Sequence, residues 1–199
     1  MRKLMIFGAF VAGLVVVAGL GLMLMLPRMQ TAPGAAALPP AAFVLTDQNG
    51  RTVHEADLLK KPTVIFFGYT FCPDACPTTL ARLTALMKSL GPEADRLNVA
   101  FITIDPARDT PGQMKSYLSA FDPRITGLTG SAAAVDKAAK EYGVFYQKAP
   151  LSGGGYSMDH STAVYLVDRK RGFSEILAPD QPQDEQLEAL KRLLGVQRA

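Results

Sequence analysis

The chain has no tryptophan, and only two cysteines and two histidines occur among its 199 residues. Two cysteines exclude a small scaffold stapled by several disulfides. No basic block marks a nucleic-acid surface, so no nucleic-acid partner is expected. Internal repeats are absent, and low complexity is confined to one short Ala/Pro stretch. The formal net charge is only +3, with 48% hydrophobic and 20% charged residues. That balance excludes an intrinsically disordered chain, which would carry fewer apolar groups and more net charge. The length suits one domain with an appendage.

What the chain does have is a long apolar run. The 23 residues from Leu4 to Leu26 carry no charge, and a helix needs ~20 to cross the hydrocarbon core. Arg2 and Lys3 precede the run and Arg28 follows it. This bias keeps the N-terminus in the cytoplasm and sends the rest outward. A cleaved signal peptide has an apolar core of only ~7–15 residues. The longer run predicts an uncleaved, single-pass anchor, although Ala35-Ala36-Ala37 could mimic a cleavage site. In a bacterial-style envelope the chain would sit in the inner (cytoplasmic) membrane with its globular part on the oxidising, periplasmic side.

Three segments are therefore expected. Residues 1–26 form a cytoplasmic N-terminus and transmembrane anchor. Residues 27–42, with four prolines and six alanines, form a tether; a polyproline-like state would extend it by up to ~3.1 Å per residue. Residues 43–199 form the domain. Arg2 and Lys3 are the only charges before residue 27, so the net charge outside falls from +3 to +1. Such a domain has no strong preference for an acidic partner. It keeps only Met87, Met114 and Met158, so it holds no Met-rich metal tract.

Within the domain, Phe43–Thr46 and Thr52-Val53 flank Asn49-Gly50 as a β-hairpin. Thr63–Phe67 is a continuous apolar, β-branched and aromatic run that suits a strand buried on both faces. A helix follows Cys76-Pro77, with Leu80, Leu83 and Leu90 on one side, and Gly91-Pro92 ends it. Asn98–Ile104 reads as a second buried strand, and Pro111 opens a helix. Ser131 caps another helix, which Gly143 terminates. Thr162–Val167 and Phe173–Leu177 read as a strand pair around a turn at 169–172. A last helix places Asp184 and Glu185 early and Lys191 and Arg192 late, as the helix dipole favours. Alternating strands and helices imply an α/β fold, with a central mixed sheet flanked by helices.

Both cysteines lie in Phe71-Cys72-Pro73-Asp74-Ala75-Cys76-Pro77, where a buried strand gives way to a helix. Open α/β sheets place ligands at such strand ends. A spacing of four puts both sulfurs on one face of a helical turn. The amides and dipole at a helix start favour anions, so at least one thiol is expected to have a lowered pKa. The pair reads as a dithiol that binds a metal or cycles with a disulfide, rather than as core filler. His160 precedes the strand Thr162–Val167; if that strand neighbours Thr63–Phe67, its start lies near the cysteines. His54 has no such companion. Two thiolates and one imidazole form a soft set that suits Cu(I) or Zn(II). Three-coordinate Cu(I) is satisfied by it, whereas zinc would need Asp159 or water as a fourth ligand. Met158 is expected to pack rather than to ligate. Asp159 is a candidate to orient His160 from behind, or else simply faces solvent.

Three stretches together resemble the Sco/SenC family of thioredoxin-like, copper-binding assembly factors of cytochrome c oxidase. They are Cys72-Pro73-Asp74-Ala75-Cys76-Pro77, then Asp105-Pro106-Ala107-Arg108-Asp109-Thr110-Pro111, then Asp159-His160-Ser161-Thr162 ahead of Tyr165-Leu166-Val167-Asp168. The resemblance covers roughly residues 40–195, and the N-terminal anchor is similar too. It implies copper, as Cu(I) or Cu(II), held by Cys72, Cys76 and His160. It also implies delivery to the dinuclear copper site of oxidase subunit II, or prior reduction of that site's cysteines. A thiol reductase and other copper chaperones are implied as further partners. Asp105 and Asp109 are expected to cap the helix after Pro111. Unlike the CxxC of ordinary thioredoxins, the spacing here is CxxxC, and Ser161-Thr162 stands where a cis-proline would fall. The longer ring and the nearby imidazole favour metal capture over rapid disulfide exchange.

Gly153-Gly154-Gly155 reads as a loose loop that would let His160 swing away during transfer. The leading reading is a copper carrier, which is not an enzyme. Its rivals are a thiol–disulfide reductase using Cys72 and Cys76 as a redox-active pair, and a redox sensor that forms a sulfenic acid.

Overall fold

The computed structural model describes residues 43–168 and 172–196. The expected anchor, the whole of the tether and the turn at 169–171 lie outside the described residues. Among those described, no helix is long and apolar enough to cross a membrane.

The first strands form the expected hairpin, β1 (Val44–Asp47) and β2 (Thr52–His54), with Gly50 at φ 81° in its turn. A single turn, α1 (Glu55–Leu58), leads to β3 (Thr63–Gly68). Then come α2 (Ala75–Leu90), a 3₁₀ segment at Gly91–Arg96, β4 (Asn98–Thr103), α3 (Pro111–Leu118), β5 (Ile125–Thr129) and α4 (Ala132–Glu141). Strands β6 (Tyr146–Pro150), β7 (Tyr156–His160), β8 (Val164–Asp168) and β9 (Gly172–Leu177) precede α5 (Gln183–Leu194).

Seven strands form one sheet in the order β2-β1-β5-β4-β3-β8-β9. The centre, β3, β4 and β5, is parallel, and β1 and β8 join it antiparallel. This is the mixed α/β architecture expected from the alternation of elements. All six residues of β3 are buried, as the apolar run requires of a strand covered on both faces. Phe66 stacks on Phe101 of β4 at 5.7 Å between ring centroids, and Phe67 packs against Tyr142 and Tyr165 on the opposite face. Leu80, Leu83, Leu86, Met87 and Leu90 turn the apolar side of α2 inward. Register explains the approach of the histidine segment: Phe66 of β3 lies opposite Val164 of β8, so β8 starts beside the end of β3 that feeds the cysteines.

The expected loop before β8 is instead a second hairpin. Strands β6 and β7 pair over five positions, from Tyr146↔His160 to Pro150↔Tyr156, and form their own two-stranded sheet. Gly153–Gly155 make the tip of this hairpin, where Gly154 and Gly155 take positive φ. The glycines are a turn five strand residues from His160, so they are not a hinge beside it.

Candidate metal centre

Strand β3 ends at Gly68, and Tyr69 to Asp74 carry the chain to the start of α2. Cys72 lies in this loop and Cys76 in the first turn of α2. The Cys76 N–H donates to Cys72 Sγ over 3.4 Å, so the helix start does aim an amide at a sulfur. Cys76 is fully buried and Cys72 half-buried, and both thiols are free. Desolvation pushes the Cys76 thiol well above its ordinary value, helped by the Cys72 sulfur beside it. For Cys76 the expected lowering is thus reversed: loss of water outweighs the helix start.

Gly68 makes the room for that buried sulfur. A Cβ at Gly68 would stand 2.6 Å from Cys76 Sγ and 2.8 Å from Phe101 Cε2. Sequence reasoning passed over this glycine, because its signal is a contact between β3, β4 and α2 and not a turn.

His160 closes β7, and its Nε2 lies 3.6 Å from Cys76 Sγ. Its Nδ1 lies 2.8 Å from the Ser161 carbonyl oxygen. A carbonyl only accepts, so Nδ1 carries the proton and Nε2 turns a lone pair toward the sulfurs. Burial lowers the pKa of His160 below the ordinary 6.5, while the Ser161 carbonyl opposes that shift. The ring stands edge-on to Tyr69, with centroids 5.8 Å apart. Of the two places open to Asp159, behind the ring or facing solvent, it takes the exposed one, and the Ser161 carbonyl makes the orienting contact. Alternation along β7 puts Asp159 on the face opposite His160. Met158 is buried, as expected of a packing residue, and its N–H donates to Tyr69 Oη over 3.2 Å. His54 ends the edge strand β2 and takes no part.

Donor atoms of Cys72, Cys76 and His160 all lie within 4.8 Å of one another. Among the described residues, this is the one group of three or more His, Cys, Asp or Glu side chains placed to hold a metal ion. Two sulfurs and one nitrogen fit a soft cation of low coordination number. They do not complete a four-ligand zinc site.

The two aspartates after β4 do not cap α3. Thr110 does, accepting from Gln113 N–H at 3.2 Å. Asp109 is fully buried and accepts three bonds, from Thr70 N–H at 3.0 Å, Thr70 Oγ1 at 2.6 Å and Thr103 Oγ1 at 2.6 Å. It ties the root of the cysteine loop to the end of β4. Burial raises its pKa, and the two threonine side chains pull it back. Asp105 pairs with Arg108 and accepts from Tyr156 Oη at 2.9 Å.

Comparisons with known proteins agree with this geometry. The SCO1/SenC family model matches residues 32–195. The chain is 35% identical over 138 residues to Protein SenC of Rhodobacter capsulatus, covering 69% of this chain and 62% of that one. It is 41% identical over 138 residues to mitochondrial Protein SCO1 of Saccharomyces cerevisiae, covering 68% of this chain and 47% of that one. It therefore spans less than two thirds of the former and about half of the latter. Among solved structures, Bradyrhizobium japonicum ScoI with copper bound aligns at a TM-score of 0.71 and 45% identity, covering 76% of this chain and 97% of that one. Yeast Sco1 with copper bound aligns at 0.70 and 36% identity, covering 77% and 88%. The matched span takes in the central sheet, the cysteine loop and the histidine hairpin alike, and on that ground the chain belongs to the SCO1/SenC family.

Proposed function

We propose that this chain is a membrane-anchored copper carrier that loads the dinuclear copper site of cytochrome c oxidase subunit II. The observation that carries the reading is the convergence of two thiols and one imidazole nitrogen within 4.8 Å. Copper is the cargo, and Cys72, Cys76 and His160 are its ligands. Thiolates select a soft ion such as Cu(I), and the imidazole extends the set to Cu(II). Copper bound to relatives of the same fold supports the choice of metal.

The protein's own groups set the order of events. His160 presents Nε2 unprotonated at neutral pH, so it needs no deprotonation to ligate. Cys76 is buried as a thiol and gives up a proton when copper arrives, because the cation offsets the desolvation that disfavours the thiolate. Cys72 is the more exposed sulfur, so an acceptor's ligand reaches the copper on that side. Residues 1–26 hold the chain in the cytoplasmic membrane, residues 27–42 act as the spacer, and residues 43–199 present the site in the periplasm. The apolar run at Leu4–Leu26 and the proline-rich segment support that arrangement.

A second reading is reduction of the acceptor's cysteines. The contrast between a reachable Cys72 and a buried Cys76 favours it: Cys72 would attack the target disulfide, and Cys76 would then displace the target thiol. Two electrons pass to the target, and a Cys72–Cys76 disulfide remains. This route needs both sulfurs and no imidazole. His160→Ala in the full-length chain separates the two. Copper carriage predicts that transfer to an apo subunit II copper domain fails while reduction of its disulfide continues. Undiminished copper transfer by His160→Ala would refute the three-ligand carrier.

A further inference from the structure

The hairpin β6–β7 that brings His160 to the cysteines is not part of the seven-stranded sheet. Its backbone ladder is internal, so no strand pairing with β3 or β8 sets the distance from His160 to Cys76 among the described residues. The register of β8, which begins at Val164 shortly after His160, brings the segment near. Side chains then fix the hairpin against the cysteine loop, and one of them reaches all the segments concerned.

Arg108 follows β4. Its Nη1 donates to the backbone oxygen of Tyr156, the first residue of β7, over 3.0 Å. Its guanidinium lies 3.9 Å from the centroid of the Tyr156 ring and 4.8 Å from that of Phe71, the residue before Cys72. The Tyr69 ring, which borders His160, is 5.6 Å away. Asp105 holds the Nε edge and also accepts from Tyr156 Oη, so one buried carboxylate fixes both partners. The remaining nitrogen, Nη2, is buried with no oxygen to donate to. Its surroundings are aromatic faces, which accept a guanidinium by cation–π attraction. This arrangement also accounts for Phe71, a phenylalanine left 51% exposed while stacked on a cation.

We propose that Arg108 is a positioning residue that clamps the histidine hairpin onto the cysteine loop. It ties Tyr156 of β7 to Phe71 beside Cys72 and so holds His160 within ligand distance of Cys76. The clamp itself concerns the protein alone; its consequence for copper rests on the proposed copper-carrier function. A planar, forked cation is needed, since lysine keeps the charge for Asp105 but offers no flat face, and its donors all sit on one nitrogen instead of on separate edges facing Asp105 and the Tyr156 oxygen.

The test uses the reduced, metal-free, full-length chain in detergent, with the variants Arg108→Lys and Tyr156→Leu. Tyr156→Leu keeps the Asp105–Arg108 pair and the backbone oxygen that Arg108 Nη1 reaches, and removes the stacked ring and its bond to Asp105. It therefore tests the ring's part in the clamp by itself if Arg108→Lys does not fold. The first reading is the nuclear Overhauser effect between the Tyr69 and His160 rings. The second is Cu(I) affinity by competition with a chelator. The clamp predicts that both variants keep their secondary structure, lose the ring-to-ring signal and bind Cu(I) about 10–100-fold more weakly, the usual loss when a residue orienting a metal ligand is removed. Tyr156→Phe, which keeps the ring and loses only the bond to Asp105, should stay closer to the unaltered protein. An unchanged ring-to-ring signal in the folded variants overturns the clamp, whatever copper does. An unaltered protein that shows the signal but takes up no copper would instead sink the copper reading and leave the clamp standing.

Discussion

The sulfur of Cys76 occupies the space where a side chain at Gly68 would begin: a Cβ there would stand only 2.6 Å from it. Neither neighbour can yield easily, because Phe101 closes the other side and Cys76 is fully buried. Gly68→Ala is therefore expected to displace the thiol from His160. Overpacking of this kind costs about 1–3 kcal/mol. Thermal unfolding of the reduced chain checks the stability loss, and copper titration checks the site. A variant with unaltered stability and copper uptake would show that the sulfur has more freedom than this packing allows.

The pH dependence of stability has two limbs in the metal-free, reduced protein. His160 has a folded pKa below its ordinary 6.5, so the folded state binds fewer protons than the unfolded one. Its contribution is present above about pH 6.5 and is lost as the pH falls through the folded value. Cys76 has a folded pKa above its ordinary 9.0, so the folded state keeps its proton longer. That contribution is present below about pH 9.0 and is lost as the pH climbs toward the folded value. Denaturant unfolding across this range is expected to show both losses. His160→Gln should flatten the acid limb and Cys76→Ser the alkaline one. Identical pH profiles for the variants and the unaltered chain would contradict the assignment.

Asp109 is expected to matter for stability, through Thr70. Thr70→Val removes a hydroxyl that donates to the buried carboxylate at 2.6 Å. Thr103→Val removes its counterpart from β4, also at 2.6 Å. Each leaves Asp109 short of one donor, which costs about 1–3 kcal/mol for a buried polar group. Because Thr70 lies two residues before Cys72, its loss should also speed alkylation of Cys72, and the Thr103 variant should do so less. Equal alkylation rates in the two variants would show that the bond does not restrain the loop.

The legible parts of this fold were those whose cause is local. Thr63–Phe67 announces a doubly covered strand by composition alone, and Cys72 and Cys76 mark the strand-to-helix junction by spacing and flanking prolines. The meeting of His160 with the cysteines followed once β8 was placed beside β3. Strand β6 was not legible: Tyr146-Gln147-Lys148-Ala149-Pro150 is largely exposed, so no alternation of apolar and polar residues announces it. With β6 unseen, the glycines at its tip read as a loose loop. The roles of Gly68, Asp109 and Arg108 were hidden for another reason. Each depends on contacts between elements far apart in the chain, and no spacing in the sequence records them.

The central claim is that Cys72, Cys76 and His160 hold one copper ion together. X-ray absorption at the copper edge, on the reduced full-length chain loaded with Cu(I), tests it most directly. The expected result is one copper per chain with two sulfur neighbours at thiolate distance and one nitrogen, the nitrogen lost in His160→Ala and the sulfurs halved in Cys72→Ala. A copper shell without sulfur, or one unaltered by either substitution, would contradict the account.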